Sequence, residues 1–540
     1  MTTSNTYDAI VMGAGIAGMY QLYTLREQGF KVKVYETGDG VGGTWHWNNY
    51  PGCRFDSESY TYAYSWSEEV LKEWTWTERF APQPETKRYL NFVADKFDLR
   101  KDIQFNSRVS KATYDEANTE WEVELDDGST ARAKFVISAT GPLSAFTLPN
   151  IPGRDSFAGD SCHTARWPVG DSGWKANDFS GLRVGVIGTG ATGVQVIQEI
   201  SKTCKELSVF QLSPNWCAPL NNGPIGEEET AHNKENAQAI FDQCNATFGG
   251  FLHAFDERSA GDVPEEEREA FFEKLYAEPG FGIWLGNFAD IMVNPEANEI
   301  ITKFIAKKIR QRVKDPVVAD ALIPKDHGFG TRRVPMETKY FECYNQDNVH
   351  LVDLTKTPIE EIVPTGIQCT DKTYDLDVLI YATGFDAVTG ALRRIDIAGI
   401  NGEKLVDKWA DGPSTYLGMQ TTGYPNLFTL VGPHNGATFC NIPRCIEQNV
   451  EWVSDLVGYM RDKNLNEIQP TQKAEDDWTV HVDELAQQTL FPTADSWFMG
   501  TNVNNPDKKR MFMLYAGGAP NYKAKCDDVA AKDYDGFVLK

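Results

Sequence analysis

The stretch of sequence that decides the fold is Asp8-Ala9-Ile10-Val11-Met12-Gly13-Ala14-Gly15-Ile16-Ala17-Gly18. Its apolar start is typical of a short buried strand, and the GxGxxG turn that follows opens a segment compatible with a helix. A second strand pattern, Val32-Lys33-Val34-Tyr35-Glu36, ends in an acid at about the place where dinucleotide-binding units hold a ribose. The glycines let the backbone approach a pyrophosphate at the helix N-terminus. We therefore predict dinucleotide binding by Gly13, Gly15, Ile16, Ala17, Gly18 and Glu36.

The same plan returns later in the chain. Val184-Gly185-Val186-Ile187 is a strand pattern, and it is followed by a glycine turn, a helical stretch and Leu207-Ser208-Val209-Phe210-Gln211. Gln211 stands where the first unit has its acid, and an uncharged residue there removes repulsion toward a 2′-phosphate. This difference favours NADP over NAD as the second dinucleotide. The turn predicted to bind it consists of Gly188, Thr189, Gly190, Ala191, Thr192 and Gly193.

The two units predict an α/β protein with two Rossmann-like dinucleotide-binding domains and a helical insertion. Segments that end in Ala-Thr-Gly, at 139–141 and 382–384, recur where the chain passes between the domains. Residues 225–330 are acidic and helical in pattern, with Ile301, Phe304, Ile305, Ile309 and Val313 on one helix face. The predicted boundaries are 1–142 for the first part of the first domain, 143–224 for the linker and the first part of the second domain, 225–330 for the insertion, 331–384 for the rest of the second domain, and 385–540 for the rest of the first domain with a mobile C-terminal loop.

Composition excludes several classes of function. The chain has 540 residues and a formal net charge of −25, so its surface repels nucleic acids and anionic membranes, and we expect neither as a partner. No apolar run approaches the ~18 residues that span a bilayer, and no signal-type stretch opens the chain, so we expect a cytoplasmic protein. The ten cysteines form no CxxC pair and are interpreted as reduced thiols. The eight histidines lack the paired spacing of metal ligands, and we predict no metal site.

Two longer motifs resemble those of a known family. The segment from Phe157 to Pro168 fits the pattern FxGxxxHxxxWP and lies just before the second glycine turn. Residues 42–56 fit a second pattern, GGxWxxxxYPGxxxD. Over essentially its whole length the chain resembles the type I Baeyer–Villiger monooxygenases, and it looks closest to members that act on cycloalkanones and terpenoid ketones. The residues that match the first pattern are Phe157, Gly159, His163, Trp167 and Pro168.

The resemblance implies an enzyme that converts a cyclic or bicyclic ketone to a lactone or ester with FAD, NADPH and O2. The first domain would hold FAD and the second NADP. In the family, NADPH reduces the flavin, the reduced flavin takes up O2 as a C4a-peroxide, and the peroxide attacks the ketone carbonyl. The flavin supplies the redox chemistry, while the protein supplies position, electrostatics and exclusion of water. The implied assembly is a monomer or a homodimer.

A fixed cation suits the peroxide and the oxyanion that follows it, and arginine stays protonated where lysine can lose its charge. The family's arginine in this role closes a basic pair and maps to Arg333, and Asp56 would hold it in place. His163 is not assigned to catalysis, because the family's histidine at this position organises the linker. The resemblance also implies FAD contacts at Thr44, Trp45, Trp47, Asp56, Tyr62 and Val109, and NADP contacts at Arg54, Gln195, Ser213, Arg332, Arg333 and Trp497.

One position departs from the family pattern. Members commonly carry an arginine just after the second strand of the NADP unit, where this chain has Leu212. A leucine cannot bind a phosphate. We therefore expect the preference for NADPH to rest on Arg332 and Ser213.

Three alternatives start from the same glycine turns. An N- or S-hydroxylating flavin monooxygenase has a similar architecture, but Trp167-Pro168 and the predicted catalytic pair argue against it. A flavin disulfide reductase is disfavoured, because its CxxxxC pair follows the first glycine turn closely, whereas Cys440 and Cys445 lie far along this chain. A flavin-binding sensor without turnover would be excluded by measurable oxidation of NADPH.

Overall fold

The computed structural model describes residues 5–436, 440–504 and 508–540. Its strands are β1 (Thr6–Met12), β2 (Val32–Tyr35), β3 (Ile103–Gln104), β4 (Val109–Asp115), β5 (Glu120–Leu125), β6 (Thr130–Ser138), β7 (Asp160–His163), β8 (Arg183–Ile187), β9 (Glu206–Gln211), β10 (Ala218–Pro219), β11 (Met336–Glu337), β12 (Val349–Asp353), β13 (Ile359–Val363), β14 (Gly366–Cys369), β15 (Thr373–Asp375), β16 (Val378–Tyr381), β17 (Asp396–Ala398), β18 (Leu427–Thr429), β19 (Ile468–Pro470) and β20 (Phe537–Leu539).

The α-helices are α1 (Ile16–Glu27), α2 (Thr44–Trp47), α3 (Ser59–Tyr62), α4 (Glu68–Glu73), α5 (Gln83–Lys96), α6 (Ala191–Ile200), α7 (Glu227–Glu235), α8 (Ala237–Ala246), α9 (Glu265–Ala277), α10 (Gly282–Leu285), α11 (Pro295–Arg312), α12 (Pro316–Ala321), α13 (Tyr340–Cys343), α14 (Gly390–Arg393), α15 (Leu405–Lys408), α16 (Ile442–Asp462), α17 (Gln472–Gln487) and α18 (Ala519–Ala531). In the part of the chain that the structure describes, no helix combines the length and apolarity needed to cross a membrane.

The first sheet joins distant parts of the chain. Its strand order is β17-β4-β5-β6-β1-β2-β3, and β18 also pairs with β6. β1 runs parallel to both β2 and β6. Ala9, Ile10 and Val11 of β1 are fully buried, because both faces of the strand are covered, and this explains its continuous apolar run.

The second sheet is parallel throughout, with the order β12-β9-β8-β16-β7. β8 leads through the second glycine turn into α6, as β1 leads through the first into α1. Two parallel units of this kind confirm the predicted α/β class with two Rossmann-like domains.

The last glycine of each turn allows the helix to start close to the strand before it. A Cβ on Gly18 would lie 1.9 Å from the carbonyl oxygen of Gly13, and a Cβ on Gly193 would lie 2.2 Å from that of Gly188. Any side chain would therefore collide with the backbone at either position. The two turns share one local geometry, and both open at the carboxyl ends of their strands.

A mainly helical segment, from α7 to α12, lies between β10 and β11. The predicted apolar face is confirmed, since Ile301, Phe304, Ile305 and Ile309 of α11 are buried, as is Val313 just beyond it. β10 and β11 pair in parallel, which brings the two ends of the helical segment together. This pairing fixes the loop before β11, where the predicted catalytic arginine lies.

The cysteines differ from the sequence-based expectation. Cys440 and Cys445 form a disulfide, so the prediction that all ten cysteines are reduced thiols is wrong for this pair. The start of α16 brings the two Cα atoms within 6.6 Å, a separation that a disulfide can span. The other eight cysteines are free.

Candidate active site

A cleft of about 420 Å³ opens at the carboxyl ends of β1 and β2. Parallel sheets bind their ligands at this edge. The cleft is lined by most of the residues predicted to contact the first dinucleotide, namely Gly13, Gly15, Ile16, Ala17, Glu36, Thr44, Trp45, Trp47, Tyr62 and Val109. Gly18 packs beneath the turn against Gly13, and Asp56 belongs to the ion pair described below.

The floor of the cleft fits a pyrophosphate and a ribose. A Cβ on Gly43 would lie 2.9 Å from the Cα of Gly15, so two loops present bare backbone to each other at the N-terminus of α1. Free N–H groups at such a terminus bind anions. Glu36 is 5% exposed and accepts hydrogen bonds from the N–H groups of Ala14 and Gly38, each at 2.7 Å. Burial raises the pKa of the Glu36 carboxyl, and these bonds oppose that shift.

Aromatic side chains form another wall of the cleft. The Trp45 indole Nε1 donates to the Tyr62 hydroxyl at 3.1 Å, and the Tyr62 ring stacks on Phe55 with 4.2 Å between centroids. The Gln83 amide donates to the main-chain carbonyl of Trp45 and so holds the backbone that carries the indole. Burial raises the pKa of Tyr62, so its hydroxyl keeps its proton. A rigid apolar wall of this kind fits a planar ring system such as an isoalloxazine.

The two predicted catalytic residues form an ion pair. Arg333 Nη2 lies 2.7 Å from Asp56 Oδ2, and the side chains are 31% and 1% exposed. The N–H of Met336 also donates to Asp56 Oδ2, at 3.4 Å. The Arg333 guanidinium carbon lies 5.8 Å from the centroid of the Phe281 ring. A buried carboxylate therefore holds the cation through Nη2, while Nη1 donates to the carbonyl of Val334 at 3.3 Å.

The loop that carries Asp56 is fastened to α6 of the second unit. The Tyr50 hydroxyl donates to Gln195 Oε1 at 2.8 Å, and Gln195 Nε2 donates to the carbonyl of Arg54 at 3.0 Å. The Arg54 side chain pairs with Glu78 at 3.0 Å. Gln195 and Arg54 were both predicted to contact NADP, and here the Gln195 side chain joins the two dinucleotide units through the Tyr50 hydroxyl and the Arg54 carbonyl.

Ser213 and Arg332 meet just beyond the carboxyl end of β9. Arg332 Nη1 donates to Ser213 Oγ at 3.1 Å, and its Nη2 lies 2.8 Å from Asp326 Oδ2. The Thr189 hydroxyl donates to the Ser213 carbonyl at 3.0 Å and ties the second glycine turn to the same point. Leu212 is 50% exposed. One cation and two hydroxyls thus lie where a ribose phosphate would be bound.

The second glycine turn also fits a dinucleotide. Gly190 is the N-cap of α6, which begins at Ala191 and continues through Thr192 and Gly193. A Cβ on Gly188 would lie 2.5 Å from the carbonyl oxygen of Ala382, so the backbone itself forms the surface of the turn. Gln211 is buried, and its amide donates to the carbonyl of Ala321 at 2.8 Å. No carboxylate occupies the position that Glu36 has in the first unit.

The first family motif forms the edge of the second sheet. His163 ends β7, and its ring stacks on Phe146 at 4.8 Å and meets Phe385 edge-on at 5.8 Å. Its Nδ1 accepts a hydrogen bond from the N–H of Ala165 at 3.1 Å. Burial lowers the pKa of His163 to about 4, so the ring is neutral near pH 7. These contacts are those of an organiser of the linker.

The other residues of this motif are packing contacts. A Cβ on Gly159 would lie 2.6 Å from the Phe157 ring. The Trp167 indole donates to Asn177 Oδ1 at 3.2 Å, and Pro168 follows it, half-buried. The motif therefore shapes the path of the chain between the domains.

Trp497 lies half-buried in the C-terminal loop. Farther along the loop, Asn502 Nδ2 donates to the carbonyl of Phe385 at 2.7 Å, and Asn504 Nδ2 donates to that of Thr383 at 3.1 Å. The loop therefore docks where the chain leaves the second sheet. The predicted mobile loop includes residues 505–507, which lie outside the described residues.

Comparison with known proteins identifies the family. A family model described as pyridine nucleotide-disulphide oxidoreductase matches residues 7–241. The 2-oxo-Delta(3)-4,5,5-trimethylcyclopentenylacetyl-CoA monooxygenase of Pseudomonas putida is 51% identical over 539 residues, which cover 99% of each chain. The cyclohexanone 1,2-monooxygenase of Acinetobacter sp. is 40% identical over 543 residues, which cover 100% of this chain and 98% of the relative. The chain belongs to the Baeyer–Villiger monooxygenases.

A solved structure agrees with this assignment. The crystal structure of OTEMO in complex with FAD and NADP matches with a TM-score of 0.96 at 51% identity, and the match covers 100% of both chains. The resemblance inferred from the two motifs is confirmed. This Baeyer–Villiger monooxygenase is an NADPH-dependent flavoprotein, and its cofactors are FAD and NADP.

Sequence reasoning missed several residues of this monooxygenase that line the cleft. Phe146 and Phe385 each follow one of the two Ala-Thr-Gly segments and pair with each other through an isolated bridge. The repeated tripeptide was therefore a usable signal, because it marks two crossings that run side by side. The other cleft residues that were missed include Arg108, Thr140, Arg166, Arg394, Ile442 and Ile446.

Proposed function

We propose that this monooxygenase uses O2 to convert a cyclic or bicyclic ketone to a lactone. Two relatives support the substrate class, since one is named for cyclohexanone and the other for a 2-oxo-cyclopentenyl compound. Both are similar to this chain over almost its full length. The observation that carries the proposal is the Arg333–Asp56 ion pair, because ketone oxygenation needs a permanent cation beside developing negative charge.

The part played by the protein follows from that pair. When bound, FAD and NADPH supply the redox chemistry that activates O2. Arg333 holds a fixed positive charge toward the oxygen atoms that become negative during the reaction. Asp56 is the positioning residue, because its buried carboxylate fixes one edge of the guanidinium. Phe281 covers part of the cation with an apolar ring, which excludes water and strengthens its field.

The two glycine turns are assigned to different cofactors. We propose that FAD contacts the first glycine turn, Glu36 and the aromatic wall, and that NADP contacts the second glycine turn and Trp497. Arg332 and Ser213 would bind the 2′-phosphate, supported by the 3.1 Å contact between them. Gln195 and Arg54 would act indirectly, since their side chains hold the loop of Asp56.

We propose that the enzyme acts in the cytoplasm as a monomer or a homodimer. Eight of the ten cysteines are free, which supports a reducing compartment, and the Cys440–Cys445 disulfide is the exception. Light scattering of the purified holoenzyme at several concentrations measures the assembly, and a larger species would contradict this part of the proposal.

A panel of substrates tests the reaction. The purified yellow holoenzyme is incubated with NADPH, O2 and cyclic ketones of increasing ring size, and with amines and sulfides of matched size. We expect NADPH consumption coupled to a product that is heavier by one oxygen atom and carries a lactone carbonyl. Full turnover that yields only N-oxides or sulfoxides, with no ester from any ketone, would overturn the proposal.

A further inference from the structure

Arg166 lines the FAD cleft although its place in the family motif is variable. It is the last of the three unspecified residues between His163 and Trp167 in HxxxWP. Its guanidinium carbon lies 4.0 Å from the centroid of the Trp47 ring and 5.1 Å from that of Phe146. Its Nη1 donates to the neighbouring carbonyl of Ala165 at 2.7 Å. Within residues 5–436, 440–504 and 508–540 it forms no ion pair.

Arg394 is a second cation of the same cleft. Its Nη2 donates to the carbonyl of Phe146 at 2.8 Å, and it too lacks a carboxylate partner among the residues that the structure describes. The two arginines are neighbours because both contact Phe146, Arg166 at its ring and Arg394 at its carbonyl. Partial desolvation is the main cause that lowers the pKa of Arg166, the charge of Arg394 lowers it further, and the charge of Glu36 opposes the shift. Two neighbouring cations that form no direct ion pair with a described residue are an unusual arrangement in a chain of net charge −25.

The other walls of the cleft indicate which anion is missing. The glycine turn supplies backbone N–H groups to a pyrophosphate but no full charge. Glu36, which would hold the adenosine ribose, is near enough to Arg166 for that cation to lower the pKa of the carboxyl. The diphosphate of FAD lies next to this ribose in the cofactor and carries two negative charges. It therefore matches the two unpaired arginines in both place and charge.

We propose that Arg166 and Arg394 form an anion-binding site for the diphosphate of FAD. Trp47 and Phe146 hold the Arg166 guanidinium by stacking, and the Phe146 carbonyl holds Arg394. Through Arg166 the linker between the domains contacts the cofactor directly. NADP also contains a diphosphate, but the cleft that the arginines line is built from residues of the first glycine unit.

Retention of FAD by the holoenzyme tests the site. Holoenzyme is diluted in steps, and released flavin is measured by its fluorescence for wild type, Arg166→Ala, Arg394→Ala and the double variant. Each single variant should weaken FAD binding about tenfold, the effect of losing one charge-assisted contact. Because the contact is ionic, the difference from wild type should shrink at high salt. Arg166→Lys should restore part of the loss, whereas Arg166→Met should not.

Arg393→Ala is the matched control, because it removes an exposed cation next to Arg394 that does not line the FAD cleft. Thermal unfolding with saturating FAD reports whether a variant folds, and titration with NADP⁺ reports on the second diphosphate. Two results would overturn the proposal. One is FAD retention by Arg166→Ala and Arg394→Ala within twofold of wild type. The other is a loss of NADP⁺ affinity with FAD affinity unchanged.

Discussion

The two glycine turns share one backbone geometry, but they obtain their charged partners in different ways. In the first unit the acid is local, since Glu36 ends the next strand and is held by the N–H groups of Ala14 and Gly38. In the second unit that place is taken by the neutral Gln211, and the charge comes from Arg332, beyond the helical segment. A repeated motif therefore gives both sites the same fold, while the charged partner comes from the next strand in the first unit and from beyond the helical segment in the second.

The largest effect is expected from substitution of the last glycine of either turn, and the affected cofactor should differ between the two turns. A methyl group added by Gly18→Ala or by Gly193→Ala would meet a carbonyl oxygen at 1.9 Å or 2.2 Å, so each change should displace its own helix. We expect Gly18→Ala to yield protein without flavin colour. The Gly193→Ala variant should remain yellow, but NADPH should no longer reduce its flavin. Flavin absorbance and anaerobic reduction measure these outcomes, and loss of FAD from both variants alike would show that the sites are not separate.

The next prediction exchanges the residues at the ribose positions. Glu36→Gln should weaken FAD binding. Gln211→Glu should lower kcat/KM for NADPH about tenfold, because a carboxylate repels a 2′-phosphate, and it should lower kcat/KM for NADH less. Gln211→Met is the control, since it removes the hydrogen bond from the Gln211 amide to the Ala321 carbonyl without adding charge. Equal losses for both coenzymes in Gln211→Glu would contradict the assignment.

A third prediction concerns two buried histidines, His163 at the end of β7 and His434 in the loop after β18. Burial lowers the pKa of both His163 and His434 from 6.5 to about 4, so the folded protein keeps them neutral while the unfolded chain protonates them. The free energy of unfolding should therefore be highest above pH 6.5. It should fall as the pH drops from 6.5 toward 4, by about 3 kcal/mol for each histidine.

Urea midpoints measured between pH 7 and pH 4 check this expectation. His163→Asn should flatten the slope, and His350→Asn, at a half-exposed position, is the control. A midpoint that does not change over this range would contradict the proposed burial of neutral histidine.

A fourth prediction concerns Leu212, where the expected effect is about as small as that of Gln211→Glu. Leu212→Arg should tighten NADPH by ~1–2 kcal/mol for one added charge-assisted contact and leave NADH nearly unchanged. Arg332→Ala should largely erase the preference for NADPH. The measurement is kcat/KM for both coenzymes in wild type and the two variants. If wild type rejects NADH strongly and Arg332→Ala keeps that ratio, the phosphate is recognised at another place.

What the sequence could predict follows from how local each feature is. The glycine turns, Glu36 and the two long motifs are continuous in the chain, so the turns and Glu36 could be located from spacing and the motifs from their resemblance to the family. Arg166 and Arg394 line one cleft although they belong to segments far apart in the chain, and sequence spacing does not show that the two segments lie side by side. The Cys440–Cys445 disulfide and the side-chain contacts of Gln195 depend in the same way on how the elements pack.

Oxygen-18 labelling tests the role of the Arg333–Asp56 ion pair most directly. Wild-type enzyme and Arg333→Ala are supplied with NADPH, labelled O2 and a cyclic ketone that the wild type oxidises, and the labelled lactone is counted per NADPH consumed. Wild type should place one labelled oxygen in each lactone. Arg333→Ala should retain FAD and still oxidise NADPH, but it should form lactone on the order of 10² more slowly, a loss of ~3 kcal/mol of stabilisation. Labelled lactone formed by Arg333→Ala at close to the wild-type rate would contradict the role given to this cation.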